Sequence, residues 1–254
     1  MRLHSIIKLI FSALIFSLFC YSCSTESSQK IIEPGDKTGY LTDKRDNLTY
    51  ETVLIDDQWW MAENLKFLPY VSSPVSDSGF YVYNYFDTIV AEAKQTLNYQ
   101  TYGVLYNWAT AMALPNQYNS ELWNGSDSLH QGICPDGWHL PADAEWNKLE
   151  LFLKTSSELA DSNNIALKIK SDTLWIDEGN GTNETGFSAL PTGFRYREGL
   201  FDKLGRYGYF WTSSQCMSSC DQSARYRYLV FSDNKIHKSY PSKKSGLPVR
   251  CVRN

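Results

Sequence analysis

GICPDGWHLPADAEWNKLELFL, residues 132–153, decides how this chain folds. It opens on Cys134 inside a Pro-Asp-Gly turn, passes Trp138 and His139, and breaks at Pro141. Beyond the break Trp146, Leu149 and Leu153 fall on one helical face, with Glu145, Lys148 and Lys154 off it. A helix starting at Pro141 is therefore expected. Cysteine, tryptophan and histidine so close together raise three options: chemistry, a metal, or scaffold.

The stretches around it set the class. Thr49–Ile55 is rich in β-branched and aromatic residues, Asp56-Asp57 offers a turn, and Gln58–Ala62 can return as a second strand. In YGVLYNWATAMAL, Leu105, Trp108, Ala109 and Met112 are spaced as one apolar helical face that Pro115 ends. From Ile165 onward short aromatic segments alternate with glycine-rich turns, the pattern of short strands and long loops. Two helices early and mostly strand later predict an α+β domain.

The N-terminus predicts export. Arg2 and Lys8 flank a basic start, and Leu9–Phe19 is apolar but too short to span a bilayer, which suits a signal peptide over residues 1–22. Ser22 before Cys23 resembles a lipoprotein cleavage site, with Cys23 the lipidated first residue of the mature chain. Removing residues 1–22 takes away Arg2 and Lys8 and no acid, so the formal charge moves from −4 to −6. Residues 23–39, with Pro34 and Gly35, read as a polar tether, and residues 40–254 as one domain large enough for a real core. The expected location is the cell envelope, as an outer-membrane lipoprotein facing periplasm or cell surface.

WMAENL, YGVLYNWATAM, GICPDGWHLPADAEW, ALPTGFR, FWTSS and VRCVR occur in this order between Thr49 and Arg253. Together they resemble the Fibrobacter succinogenes major paralogous domain family, found on exported bacterial proteins. The resemblance implies a C-type-lectin-like fold: two main helices, short twisted antiparallel strands and long loops. It is a fold shared with formylglycine-generating sulfatase-modifying enzymes. It implies no particular activity. One departure stands out. The residue after Pro141 is often Ser or Thr in such helix starts, where it caps the helix reciprocally with the glutamate three residues on. Here it is Ala142, so Asp143 is expected to take over the cap one residue later.

Export permits disulfides. Beside Cys23 the mature chain holds Cys134, Cys216, Cys220 and Cys251, which allow three pairings. The resemblance implies Cys134 with Cys251, leaving Cys216 with Cys220. There is no C-x-x-C and no zinc-finger histidine, so no metal is expected. LPNQ at 114–117 and FSDN at 231–234 are not lectin calcium motifs, which leaves Asp233 and Asn234 as a weak calcium thought. No G-x-S-x-G is present, and His130, His139 and His237 sit in no catalytic motif; His139 reads as a structural residue. No cofactor is expected. An oxidase like the sulfatase-modifying relatives needs Cys216 or Cys220 as a free thiol.

Charge is unevenly spread. Residues 23–194 hold 10 Lys+Arg and 24 Asp+Glu, whereas residues 195–254 hold 12 and 4. In ARYRYLVF a strand places Arg225, Arg227 and Leu229 on one face and Tyr226, Tyr228 and Val230 on the other. Two readings stay open. Arg195, Tyr196, Arg197, Arg206, Tyr207 and Trp211 can form an exposed surface for a sugar or anion. Alternatively the arginines pair inward with the acidic half and the tyrosines are half-buried, to which the sequence leans. The expected partners are the membrane, through the lipid, and a glycan or surface protein; an exported acidic chain argues against nucleic acid. A structural role in surface assembly is the further alternative. Asp-Ser/Thr-aliphatic triplets mark Thr88, Ser128 and Thr173 as candidates for O-glycosylation.

Overall fold

The computed structural model describes residues 37–77, 79–155, 164–216 and 220–254. The expected signal peptide, Cys23 and residues 24–36 of the tether lie outside the described residues. The domain opens with β1 (Thr38–Thr42), two residues ahead of the expected start at Tyr40. The hairpin follows as β2 (Thr49–Ile55) and β3 (Gln58–Met61), with Asp56 at φ 57° in its two-residue turn. Then come β4 (Phe80–Tyr81), α1 (Val90–Gln95), α2 (Leu97–Tyr102), β5 (Leu105–Tyr106) and α3 (Trp108–Ala111). The quoted stretch supplies β6 (Trp138–His139) and α4 (Asp143–Thr155). The remaining strands are β7 (Thr192–Arg195), β8 (Phe201–Leu204), β9 (Tyr207–Gln215), β10 (Ala224–Val230), β11 (His237–Ser239) and β12 (Val252–Arg253).

The strand pairs are antiparallel. Five strands join in the order β1-β2-β3-β12-β6, three in the order β11-β10-β9, and β4-β5 and β7-β8 form two-stranded ribbons. Mixed α and β content is as the pattern predicts. The last strand thus lies inside the first sheet, between the hairpin and the quoted stretch. A disulfide from Cys134 to Cys251, with Cα atoms 6.0 Å apart, locks it there. In the chain-entropy account, closing so long a loop stabilises by about 4–5 kcal/mol. Cys216 and Cys220 are also bridged.

The core has two halves, divided by strands. Trp60, Trp146, Phe187, Phe210 and Val252 pack on one side; Met61, Trp108, Trp211, Val249 and Cys251 pack on the other. Neighbours in sequence separate because side chains alternate across a strand. Trp60 and Met61 part on β3, Phe210 and Trp211 on β9, Cys251 and Val252 around β12.

Two expectations need correction. The expected second main helix is not one: among the described residues α4 alone exceeds two turns, and α3 has only four residues. Leu105, Trp108, Ala109 and Met112 are all buried, but so are Tyr106, Asn107 and Ala111 between them. Buried all round, the segment has no stripe. Its first part instead pairs as β5, with Tyr106 exchanging backbone bonds with Leu247, and Asn107 caps α3 by accepting from Thr110 N. The second correction concerns Asp143, which is the first residue of α4 and not its cap. Ala142 N donates to Glu145 Oε2 at 2.8 Å, keeping half of a capping box. The missing hydroxyl comes from a distant strand: Asp143 N donates to Ser214 Oγ at 3.0 Å.

Candidate functional site

That borrowed hydroxyl marks where the fold opens. A groove of about 680 Å³ lies between the N-terminus of α4, the end of β9, the start of β10 and the loop 123–128. FWTSS and LPADAEW, two motifs that carried the resemblance, meet at its floor.

The loop wall is clamped. Trp123 N donates to Gln215 Oε1 at 3.1 Å, and Gln215 Nε2 donates back to Trp123 O. Lys243 Nζ, buried over the Trp108 ring, donates to Gln215 Oε1 at 2.9 Å and to Glu121 O at 2.8 Å. Ser213 Oγ donates to Asp127 O at 2.7 Å, and Ser214 Oγ donates to the Asp127 carboxylate. A Cβ at Gly125 would come within 2.1 Å of the Trp123 ring, so any side chain there would push the indole, which packs at 4.8 Å on the His130 ring, out of place. These bonds tie the loop 123–128 to the end of β9.

The helix wall is an ion-pair cluster. Asp143 accepts from Arg225 Nη1 at 2.5 Å and from Arg227 Nη1. Arg227, 1% exposed, also donates to Glu150 at 2.7 Å and to Asn147 Oδ1 at 2.8 Å. Burial pushes the Asp143 carboxyl up, but the two guanidinium groups outweigh it and hold its pKa below the usual range. Alternation along β10 sends Arg225 and Arg227 here, as the sequence pattern says.

His139 sits beneath this wall as scaffold. Its Nδ1 lies 2.7 Å from Asn254 Oδ1 and its Nε2 2.7 Å from Glu145 Oε1. Burial lowers its pKa, but the bonds to Glu145 and Asn254 outweigh this and leave it raised above the ordinary histidine value.

The six residues expected to form an exposed surface are not brought together. Arg195 and Trp211 are buried, contrary to that expectation. Arg195 donates to Pro74 O, Ser76 O and Lys244 O at 2.6–2.8 Å and lies over the Tyr81 ring. Trp211 donates its indole N–H to Tyr106 O at 2.7 Å. Arg197 is exposed and paired with Glu198, in the turn between β7 and β8. Arg206 lies over Phe231 in the turn after β8, at that strand's other end. Tyr196 packs on Phe194, and Tyr207 joins Tyr209, Tyr226 and Tyr228 in a half-buried ladder on the β9–β10 face. The ladder's rings lie 5.4–6.3 Å from one another and pack mainly on themselves.

Inward pairing of the arginines therefore holds for Arg225 and Arg227, but Arg195 and Arg250 are held by carbonyls instead. Asp233 and Asn234 are occupied too: His237 and Lys235 N bond the carboxylate, and Asn234 donates to Asn164. Among the described residues no group of three or more His, Cys, Asp or Glu is placed to hold a metal ion. Thr88, Ser128 and Thr173 all occupy exposed loop positions, and Ser128 lies at the groove's rim. Trp123, Asp127 and Asn147 were not singled out from sequence; the alternation of Arg225 and Arg227 was the one signal pointing to this wall.

No helix among the described residues is long and apolar enough to cross a membrane. No curated protein and no solved structure matches the chain. A family model does, over residues 53–253, and it spans both walls of the groove: the chain belongs to the Fibrobacter succinogenes major domain family.

Proposed function

We propose that this is a non-catalytic binding module of the cell envelope, exported and lipid-anchored through Cys23, whose ligand, a glycan or a protein, docks in the α4 groove. The observation that carries the reading is the groove itself. Its walls come from stretches far apart in sequence, are clamped in place, and combine an indole with amide, hydroxyl and carboxylate groups. A C-type-lectin-like arrangement is the finer fold we infer. It is supported by the last strand tied back beside the first hairpin and by the long loops that build the groove. The oxidase alternative draws no support, because Cys216 and Cys220 are joined to each other.

Two measurements test this. The mature chain extracted from membranes should have the mass of residues 23–254 plus lipid; a lipid-free soluble product removes the anchor. Binding on arrays of envelope glycans and surface proteins should be strong for the native chain and lost in Trp123→Ala. Equal binding by both chains places the ligand elsewhere and sinks the groove as the site.

A further inference from the structure

The groove's hydrogen-bonding inventory narrows its ligand. The charges of its helix wall are paired. Arg225, the one cation lining the groove among the described residues, is bonded to Asp143, and Glu145 is bonded to His139. The Asp127 carboxylate accepts from the Ser214 hydroxyl and has no ion pair among the described residues, so no cation offsets it on the loop wall. An anionic ligand would meet the unoffset Asp127 carboxylate on one wall and, on the other, a guanidinium whose charge Asp143 already balances.

The valence left over is neutral and mixed. Asn147 gives its Oδ1 to Arg227, which leaves the amide NH₂ as its free end on the exposed side of α4. Asp127 offers acceptor capacity on the opposite wall, and Arg225, with 37% of its side chain exposed, keeps further N–H donors. Groups that both donate and accept, on a ring with an apolar face, complement such walls. We propose that the groove takes an uncharged sugar, whose hydroxyls bridge Asn147 and Asp127 while a ring face packs on Trp123. This rests on the groove being the binding site.

The test uses the lipidated full chain in detergent, titrated by isothermal calorimetry and by ligand-observed NMR. The probes are cellobiose, mannobiose and diacetylchitobiose, set against digalacturonate and a sulfated heparin disaccharide. The expected result is saturable binding of at least one neutral probe, with little salt dependence. It should weaken about tenfold in Trp123→Ala, the scale of one aromatic contact. Asn147→Ala should weaken it as well; because this change also takes an acceptor from buried Arg227, its unfolding midpoint is measured beside the affinity, and a folded variant with unchanged affinity counts against the contact. Preferential binding of an anionic probe, abolished in Trp123→Ala, overturns the neutral-sugar inference but keeps the groove. Neutral binding unchanged in both variants overturns the inference together with the groove. Absence of binding by all probes overturns the inference alone, because a protein ligand then remains for the groove.

Discussion

Arg227 and Arg250 are both fully buried arginines, and the molecule accommodates them in opposite ways. Arg227 lies between α4 and β10 with two carboxylates, Asp143 and Glu150, at its guanidinium. Arg250 sits where the two halves of the core meet and has no ion pair among the described residues. It donates to Asn64 Oδ1 at 3.0 and 3.2 Å, to Met61 O and Ser188 O at 3.2 Å, and to Phe187 O. The rings of Phe187 and Phe210 lie 4.5 and 5.4 Å from its Cζ. Arg195, Lys170 and Lys243 follow the second pattern, with carbonyl or amide oxygens and an aromatic face each. Carboxylate pairing serves the element that carries the groove wall. Carbonyl pairing ties loops together in the interior, where each cation satisfies several backbone acceptors at once.

The comparison predicts its own largest effect. Arg250→Met removes one donor group but orphans acceptors on four residues, and each buried orphan costs about 1–3 kcal/mol. The variant should lose more than about 4 kcal/mol and fail to give a cooperative unfolding transition. A well-folded Arg250→Met chain would show that the carbonyls relax to other partners, and that this site is packing rather than a hub.

The second effect separates the two patterns directly. Asp143→Asn leaves Arg227 with Glu150 as its one carboxylate and Arg225 without its ion pair, so it should destabilise by about 3 kcal/mol. Asp143 has a lowered folded pKa, so its contribution is present above the ordinary carboxylate value of about 3.9 and is lost as pH falls through the folded value. Denaturant unfolding below pH 4 should therefore weaken the native chain more than Asp143→Asn. Equal acid slopes in the two would place the acid sensitivity elsewhere.

These two patterns also mark how far the sequence could be read. The hairpin at 49–61, the helix after Pro141 and the two faces of β10 were legible because each keeps its own period: side chains alternate along the strands, and Trp146, Leu149 and Leu153 share one face of the helix. The buried arginines were not. Arg195 is held by carbonyls at positions 74, 76 and 244, and no side-chain pattern advertises a carbonyl. The groove was hidden for the same reason. Trp123 meets the Gln215 side chain across 92 residues through its own backbone N–H and C=O, which no sequence pattern marks. The stretch YGVLYNW misled because burial on every side erases the period that tells helix from strand.

Alkaline pH probes the carbonyl pattern more gently. Burial pulls the pKa of Lys170 and of Lys243 down to about 8, only partly offset by Asp233 and Asp221 respectively. Between that value and the ordinary 10.4 the unfolded chain binds more protons than the folded one, so these lysines make stability rise with pH. The window closes near pH 10, where burial has raised the tyrosines, Tyr81 to about 12, and the sign reverses. Lys170→Met with Lys243→Met should flatten the rise between pH 8 and 10 in chemical denaturation. An unchanged rise would mean that other groups release the protons.

The smallest effect concerns His139, because it lies under the carboxylate-paired wall yet titrates like neither pattern. Its folded pKa is raised, so its contribution is complete below the ordinary value of about 6.5 and fades as pH climbs through the folded one. Stability should therefore dip slightly above pH 6.5 before the lysines lift it. His139→Gln keeps a donor for Glu145 or for Asn254 but not for both, and it carries no charge. It should remove the dip while leaving the acid slope of Asp143 and the alkaline rise intact. A His139→Gln chain that still dips would assign the proton to another group and return Glu145 to the groove as an unmatched negative charge. The proposed sugar site would then have two carboxylates facing it instead of one, and its discrimination against anions should be correspondingly sharper.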